Sequence, residues 1–149
     1  MTEAPPTRSR LTLDNLGFLL SKASQRWNEL LHQELAAAGF PEVRPAYGSL
    51  LIPLYEEDGL RQGQLARLAR LSKQTLTTMT RALEHAGLIE RRPDPADARA
   101  TQIFLTKRAR ELEPIAERIL AELDDRVAAA TDDSTGAPLR QALRTLADL

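Results

Sequence analysis

Cysteine is absent from the 149 residues. That removes disulfides, thiolate metal sites, cysteine nucleophiles and thiol redox sensing together, and it fits a reducing compartment. Histidine occurs twice, at His32 and His85, which is too few for a histidine-built metal site, and neither metal nor cofactor is expected. Aromatic residues make up only 4%, too sparse for a surface that stacks the bases of single strands. No stretch approaches the roughly 18 apolar residues of a membrane span. Met1–Arg10 holds Pro5 and Pro6 but lacks the apolar core of a signal peptide. The expectation is a cytoplasmic protein with no membrane partner. Enzyme signatures are missing too: there is no phosphate-cradling glycine loop, no Gly-x-Ser-x-Gly elbow and no His-Glu-x-x-His. The carboxylate run Glu56-Glu57-Asp58 stands next to Gly59 at a helix end, where solvation accounts for it. No catalysis is expected.

What remains is a chain of one-domain length, with 42% hydrophobic and 28% charged residues, the balance of an ordinary globular protein. Its net charge of −1 hides a strong asymmetry. Arg61 to Arg110 carries eleven Lys or Arg against four Asp or Glu, a balance of +7, while the rest carries nine against seventeen, a balance of −8. A basic middle between acidic ends is the footprint of a nucleic-acid face on a solubilising body.

The chain reads as mostly helical. Leu16, Leu20, Ala23, Trp27, Leu30, Leu31 and Leu35 recur at helical spacing, predicting a long amphipathic helix from Asp14, as N-cap, to Ala38, stopped by Gly39. A second helix is predicted from Ala46 to Asp58, kinked or shortened by Pro53. Two short helices follow, Gln62–Ala69 and Lys73–Ala86. Leu88–Arg92 and Thr101–Leu105 are strand-like, with a turn-rich charged tip over Pro93–Ala98. Thr106 caps another long helix, bent at Pro114, and a last helix carries Leu139, Leu143 and Leu146.

The informative segment is Leu65–Leu83, a helix, a tight turn and a second helix. Ser72 is the expected N-cap of the second helix, with Thr75 in its first turn. At about 100° per residue, Leu76, Met79, Leu83 and Ala86 form one buried stripe. Lys73, Gln74, Thr77, Thr78 and Arg81 lie opposite. That set suits the major groove: Arg reads guanine, Gln reads adenine, and Thr meets several bases. An ordinary surface helix would also be polar outside, but it would usually carry Glu there, and none occurs before Glu84. A winged helix that docks only proteins would be apolar or acidic on this face.

The hairpin adds Arg91 and Arg92 on its first strand and Asp97-Ala98-Arg99 at its tip. A hairpin beside a helix-turn-helix can lay Arg99 on phosphates or in the minor groove, with Asp97 pairing an arginine or capping the turn. Taken alone, a solvated loop with an incidental ion pair accounts better for these residues. Taken together, Gly87-Leu88-x-x-Arg91, Asp97-x-Arg99 and Leu105-Thr106, following the helix-turn-helix, resemble the MarR family of bacterial transcriptional regulators. The resemblance covers most of the chain. It implies a mainly α fold with a small β-hairpin wing, a winged helix-turn-helix with long N- and C-terminal dimerisation helices. Residues 11–45 and 107–149 would form the dimerisation region and 46–106 the DNA-binding region of one domain. It further implies a homodimer on a palindromic operator in double-stranded DNA, most often a repressor, released by a small aromatic or lipophilic ligand. Lys73–Arg81 then correspond to the recognition helix, Arg99 to the wing arginine and Asp97 to its partner. Two departures stand out. Arg70 replaces the usual Gly or small polar residue of the turn and adds a candidate phosphate contact. Ala109 stands where Gly is frequent. Without cysteine, the peroxide-sensing mode of some members is excluded.

Trp27, His32, Tyr47 and Tyr55 fall on the first two helices, where similar proteins line an effector pocket. Apolar and aromatic residues at helical spacing are more often core, so packing alone also accounts for them. A DNA-binding winged helix with no effector remains the alternative.

Overall fold

A computed structural model of the chain describes residues 9–149. The signal-peptide reading of Met1–Arg10 therefore falls almost entirely outside the described residues. Helix α1 spans Leu16–Ala37. Its cap is Asn15 rather than the expected Asp14: the Asn15 side chain accepts from Phe18 N at 3.2 Å while donating to Arg10 O at 2.7 Å. Asp14 lies one residue too early to reach the first free N–H groups. At the other end Gly39 (φ +94°) reverses the chain, with Gly39 N bonded to Ala36 O and Phe40 N to Leu35 O.

The single helix expected over Ala46–Asp58 is divided. Pro45–Tyr47 forms a 3-10 turn, and α2 covers only Gly48–Glu56 with Pro53 inside it. Pro45 suits a first turn, whereas Pro53 removes a donor from the helix interior, and the helix ends within one turn of it. Strand β1 (Leu60–Arg61) leads into α3 (Gln62–Ala69), the turn Arg70–Ser72 and α4 (Lys73–His85). Strands β2 (Ile89–Asp94) and β3 (Asp97–Leu105) follow, and the antiparallel sheet runs β1-β3-β2. Ile89 faces Leu105, Arg91 faces Ile103, and Leu60 faces Ile103 from the other side. The wing is tighter than expected. Instead of a loop over Pro93–Ala98, the strands extend to Asp94 and Asp97, because the Asp94 carboxylate accepts from Ala96 N at 2.8 Å and closes the turn.

Thr106 caps α5 (Lys107–Ala130) as expected, accepting from Ala109 N at 3.3 Å, and the helix continues through Pro114. Helix α6 covers Gly136–Ala147. Leu50, Leu54, Leu65, Leu76, Leu83, Leu88, Ile103, Leu112 and Ile119 make one core joining α2, the helix-turn-helix, the sheet and α5. The ends of the chain contribute little: Leu35 is the only buried residue of α1, and α6 has none. Arg108 fastens the start of α5 to the end of α1, with its guanidinium 3.8 Å over Phe40, donating to Gly39 O at 2.6 Å and paired with Glu42.

Gly59, between α2 and β1, is fixed twice over. Its φ is +73°, and a Cβ there would stand 2.8 Å from Phe104 Cε1. Left-handed backbone alone costs a non-glycine about 1–2 kcal/mol. The displaced Phe104 ring, stacked under Arg92 at 4.3 Å, adds to that. Urea denaturation of Gly59→Ala should show a loss of at least that backbone cost, and an unchanged midpoint would contradict this account.

Candidate nucleic-acid interface

Helix α4 is held by its apolar side. Leu76 and Leu83 are fully buried, Met79 and Ala86 half-buried, as the periodicity requires. One member of the buried face was missed. Thr80 is fully buried, and its hydroxyl donates to Leu76 O at 2.9 Å and Thr77 O at 3.0 Å. A threonine that bonds its own helix presents a methyl to the core, so its polarity misled the stripe reading.

The expected cap is in place: Ser72 Oγ accepts from Thr75 N at 3.1 Å and donates to Thr75 Oγ1 at 2.9 Å. Lys73, Gln74, Thr75, Thr78 and Arg81 are exposed, and Thr77 is half-buried. Thr77 donates to Lys73 O at 2.8 Å and Thr78 to Gln74 O at 3.1 Å. Their hydroxyl hydrogens are thus committed, and Thr77 Oγ1 also accepts from Gln62 Nε2 at 3.4 Å, so it is chiefly the Thr78 oxygen and methyl that face whatever approaches.

Three further candidates have partners within the chain. Arg70 sits in left-handed backbone (φ +53°) at the end of α3, and its guanidinium bonds Ala147 O and the Asp148 carboxylate beyond α6. Arg91 makes a two-pronged pair with Glu84 of α4, at 2.7 and 3.3 Å. That bond holds the Glu84 carboxyl below its ordinary range. Asp97 caps the wing turn, accepting from Arg99 N at 3.0 Å, and Arg99 itself is exposed.

Between α3, α4 and the wing runs a groove of about 670 Å³, lined by Arg61, Gln62, Arg67, Lys73, Arg99 and Thr101 among others. It unites Lys73 and Arg99 in one basic concavity. Arg61, Gln62 and Arg67 were not foreseen. The two arginines count in the basic middle, but only the docking of the wing brings all three to the same side as α4.

A second concavity, about 460 Å³, lies between α1, α2, α3 and α5. Of the four aromatic or imidazole candidates, Trp27 and Tyr55 line it. Tyr47 packs half-buried against the core, and His32 is exposed with Nδ1 3.4 Å from Val43 O. The Tyr55 hydroxyl donates to Ala109 O at 2.7 Å, and burial pushes its pKa up to about 12, so it lines the chamber as a neutral ring anchored to α5. Asn28, Arg44 and Ser49 supply polar lining, and Leu68 and Ala69 bring in the end of α3. Only the packing of four helices makes these residues neighbours.

Residues 45–101 match the MarR family profile. The chain is 34% identical over 116 residues to an HTH-type transcriptional repressor of Mycobacterium tuberculosis, covering 76% of this chain and 80% of that protein. Among solved structures, the transcriptional repressor CouR bound to a 23-mer DNA duplex superposes with a TM-score of 0.77 at 27% identity, over 93% of this chain and 99% of that one. The PcaV transcriptional regulator of Streptomyces coelicolor, solved with its natural ligand, gives a TM-score of 0.79 over 94% and 97% of the two chains; at 20% identity it speaks for the fold. No described helix is long and apolar enough to cross a membrane. With this core, this wing and this helix-turn-helix, the chain belongs to the MarR family of DNA-binding transcriptional regulators.

Proposed function

We propose that the protein is a cytoplasmic homodimeric repressor that grips a palindromic operator and acts by occupancy rather than catalysis. The observation that carries this reading is the face of α4. Lys73, Gln74, Thr75, Thr78 and Arg81 stand outward from a helix pinned by Leu76, Thr80 and Leu83, beside a groove that also holds Arg99. The 27%-identical CouR, solved on duplex DNA, supports it. Two copies are needed because a palindrome presents two half-sites one turn apart, about 34–36 Å. The exposed leucines of α1 and α6 supply the apolar surface for pairing. Residues 11–45 and 107–149 form the pairing region in this reading, and 46–106 the reading head.

The chamber between α1, α2, α3 and α5 supports a second element, release by a small aromatic or lipophilic ligand. Its lining is mostly apolar with a few polar groups, the usual make-up of a small-molecule site.

A gel shift on DNA upstream of the gene, repeated with phenolic and lipophilic anions, tests both elements. Arg81→Ala or Gln74→Ala should weaken the cognate site by about 1–3 kcal/mol and relax preference at individual base pairs. Arg99→Ala should weaken all sequences more evenly and flatten the salt dependence. Equal losses on cognate and random DNA for all three variants would overturn the assigned roles.

A further inference from the structure

Asp94 and Thr80 are the two buried polar residues of the described chain, and only Asp94 carries a charge. Thr80 is satisfied within its own helix. Asp94, at 5% exposure in a face otherwise rich in cations, calls for a different account. Its Oδ1 accepts from Ala96 N and shapes the wing turn. Its Oδ2 lies 2.6 Å from Arg61 Nε, out of line for a hydrogen bond, so charge holds that contact. Arg61 belongs to the other end of the head. It is the last residue of β1, opposite Gln102, and immediately precedes α3, where its backbone N–H donates to Gln64 Oε1 at 3.0 Å. One buried carboxylate therefore ties the wing turn to the first helix of the helix-turn-helix. An ion of this kind is costly to bury and is weak evidence for stability in itself; its better-attested use is to fix one arrangement among several.

We infer that the Asp94–Arg61 pair is the positioning device of the wing, setting it so that Arg99 and the α4 face engage one duplex together. The inference rests on the proposed role of Arg99 in DNA binding. It makes a prediction of unusual sign. Asp94 is an anion whose partner Arg61 lines the basic groove, so deleting its charge would, by Coulomb attraction alone, tighten binding to polyanionic DNA. If the pair positions the wing, deletion weakens binding instead.

Asp94→Asn is the suitable variant, because an amide oxygen can still accept from Ala96 N and keep the turn. Arg61→Gln removes the other partner. Each full-length variant is compared with wild type and with Arg99→Ala by fluorescence anisotropy on the same operator duplex. Titrations run across a salt series, below the melting temperature measured for each protein. Asp94→Asn and Arg61→Gln should each lose affinity on the order of tenfold, the share of a charge-assisted contact. The slope of log K against log salt should fall by about 0.9 for each phosphate that the wing no longer neutralises. Combined with Arg99→Ala, Asp94→Asn should add little, since both remove the same wing–phosphate interaction. Unchanged or tighter binding by Asp94→Asn, with Arg99→Ala still harmful, would overturn the positioning role alone. So would full additivity of the two with an unaltered slope, the mark of a merely structural loss. An Arg99→Ala protein that binds like wild type would remove the wing from DNA binding and the inference with it.

Discussion

Replacing Leu139, Leu143 and Leu146 together by glutamine should turn the protein into a monomer that holds its operator at least ~100-fold more weakly. These leucines are 42%, 43% and 38% exposed, on a helix with no buried residue. Phe18 and Leu19 of α1 are likewise exposed. A lone chain gains nothing from presenting so much apolar surface at both its ends. In the proposed homodimer that surface would be covered, and an obligate interface of this kind should exceed ~2,000 Å². The loss in operator affinity is larger than any single base contact because it is a loss of linkage. Two heads held by one body gain roughly 10²–10⁴ over one head alone. Because the substituted positions are already exposed in the single chain, the head should keep its fold, with its circular dichroism and base preferences intact. Sedimentation equilibrium and anisotropy on full and half operators check this. A variant that remains a tight dimer would exclude α6 from the interface.

The second large effect is reciprocal. A phenolic or lipophilic anion that occupies the chamber should bind the free protein about 5- to 150-fold more tightly than the operator-bound protein, the usual span of allosteric coupling. By linkage, it must loosen the operator by the same factor. The route is short. Leu68 and Ala69 line the chamber while Leu65, on the same helix, is packed in the core of the reading head. Tyr55 crosses from the chamber wall to Ala109 in the first turn of α5, just past the end of β3. Filling the chamber with Ala116→Phe should abolish the ligand response. Calorimetry of free and operator-bound dimer decides the matter: equal affinities would leave a regulator set by its own abundance.

Local features of this fold were legible along the chain, and long-range ones were not. Ser72 and Thr106 could be read as caps because a side-chain oxygen before a helix has one strong use. Asp14 and Asn15 compete for that use one residue apart, and sequence alone does not decide between neighbours. The outward face of α4 followed from spacing, but Thr80 did not, since its hydroxyl is satisfied only once the helix exists. Strand β1 is two residues long and is defined entirely by its pairing with β3, so no periodicity could announce it. The same holds for Arg61 and Asp94, 33 positions apart and joined by the fold alone. The chamber was half-visible: Trp27 and Tyr55 were drawn by their aromatic character, whereas Arg44, Ser49 and Leu68 look like ordinary surface residues until four helices converge.

Trp27 is the only tryptophan of the chain, and it lines the chamber. The molecule therefore carries a built-in optical reporter at the one place where reporting is most useful. Indole emission responds to the polarity and packing around the ring, and no second indole dilutes the signal. A compound entering the chamber should quench or shift the emission without any label, while one that sticks elsewhere should leave it unchanged. Operator DNA added without ligand reads the same coupling from the opposite end: Trp27 lies outside the proposed DNA face, so a spectral change on DNA binding would report movement of the helices around it.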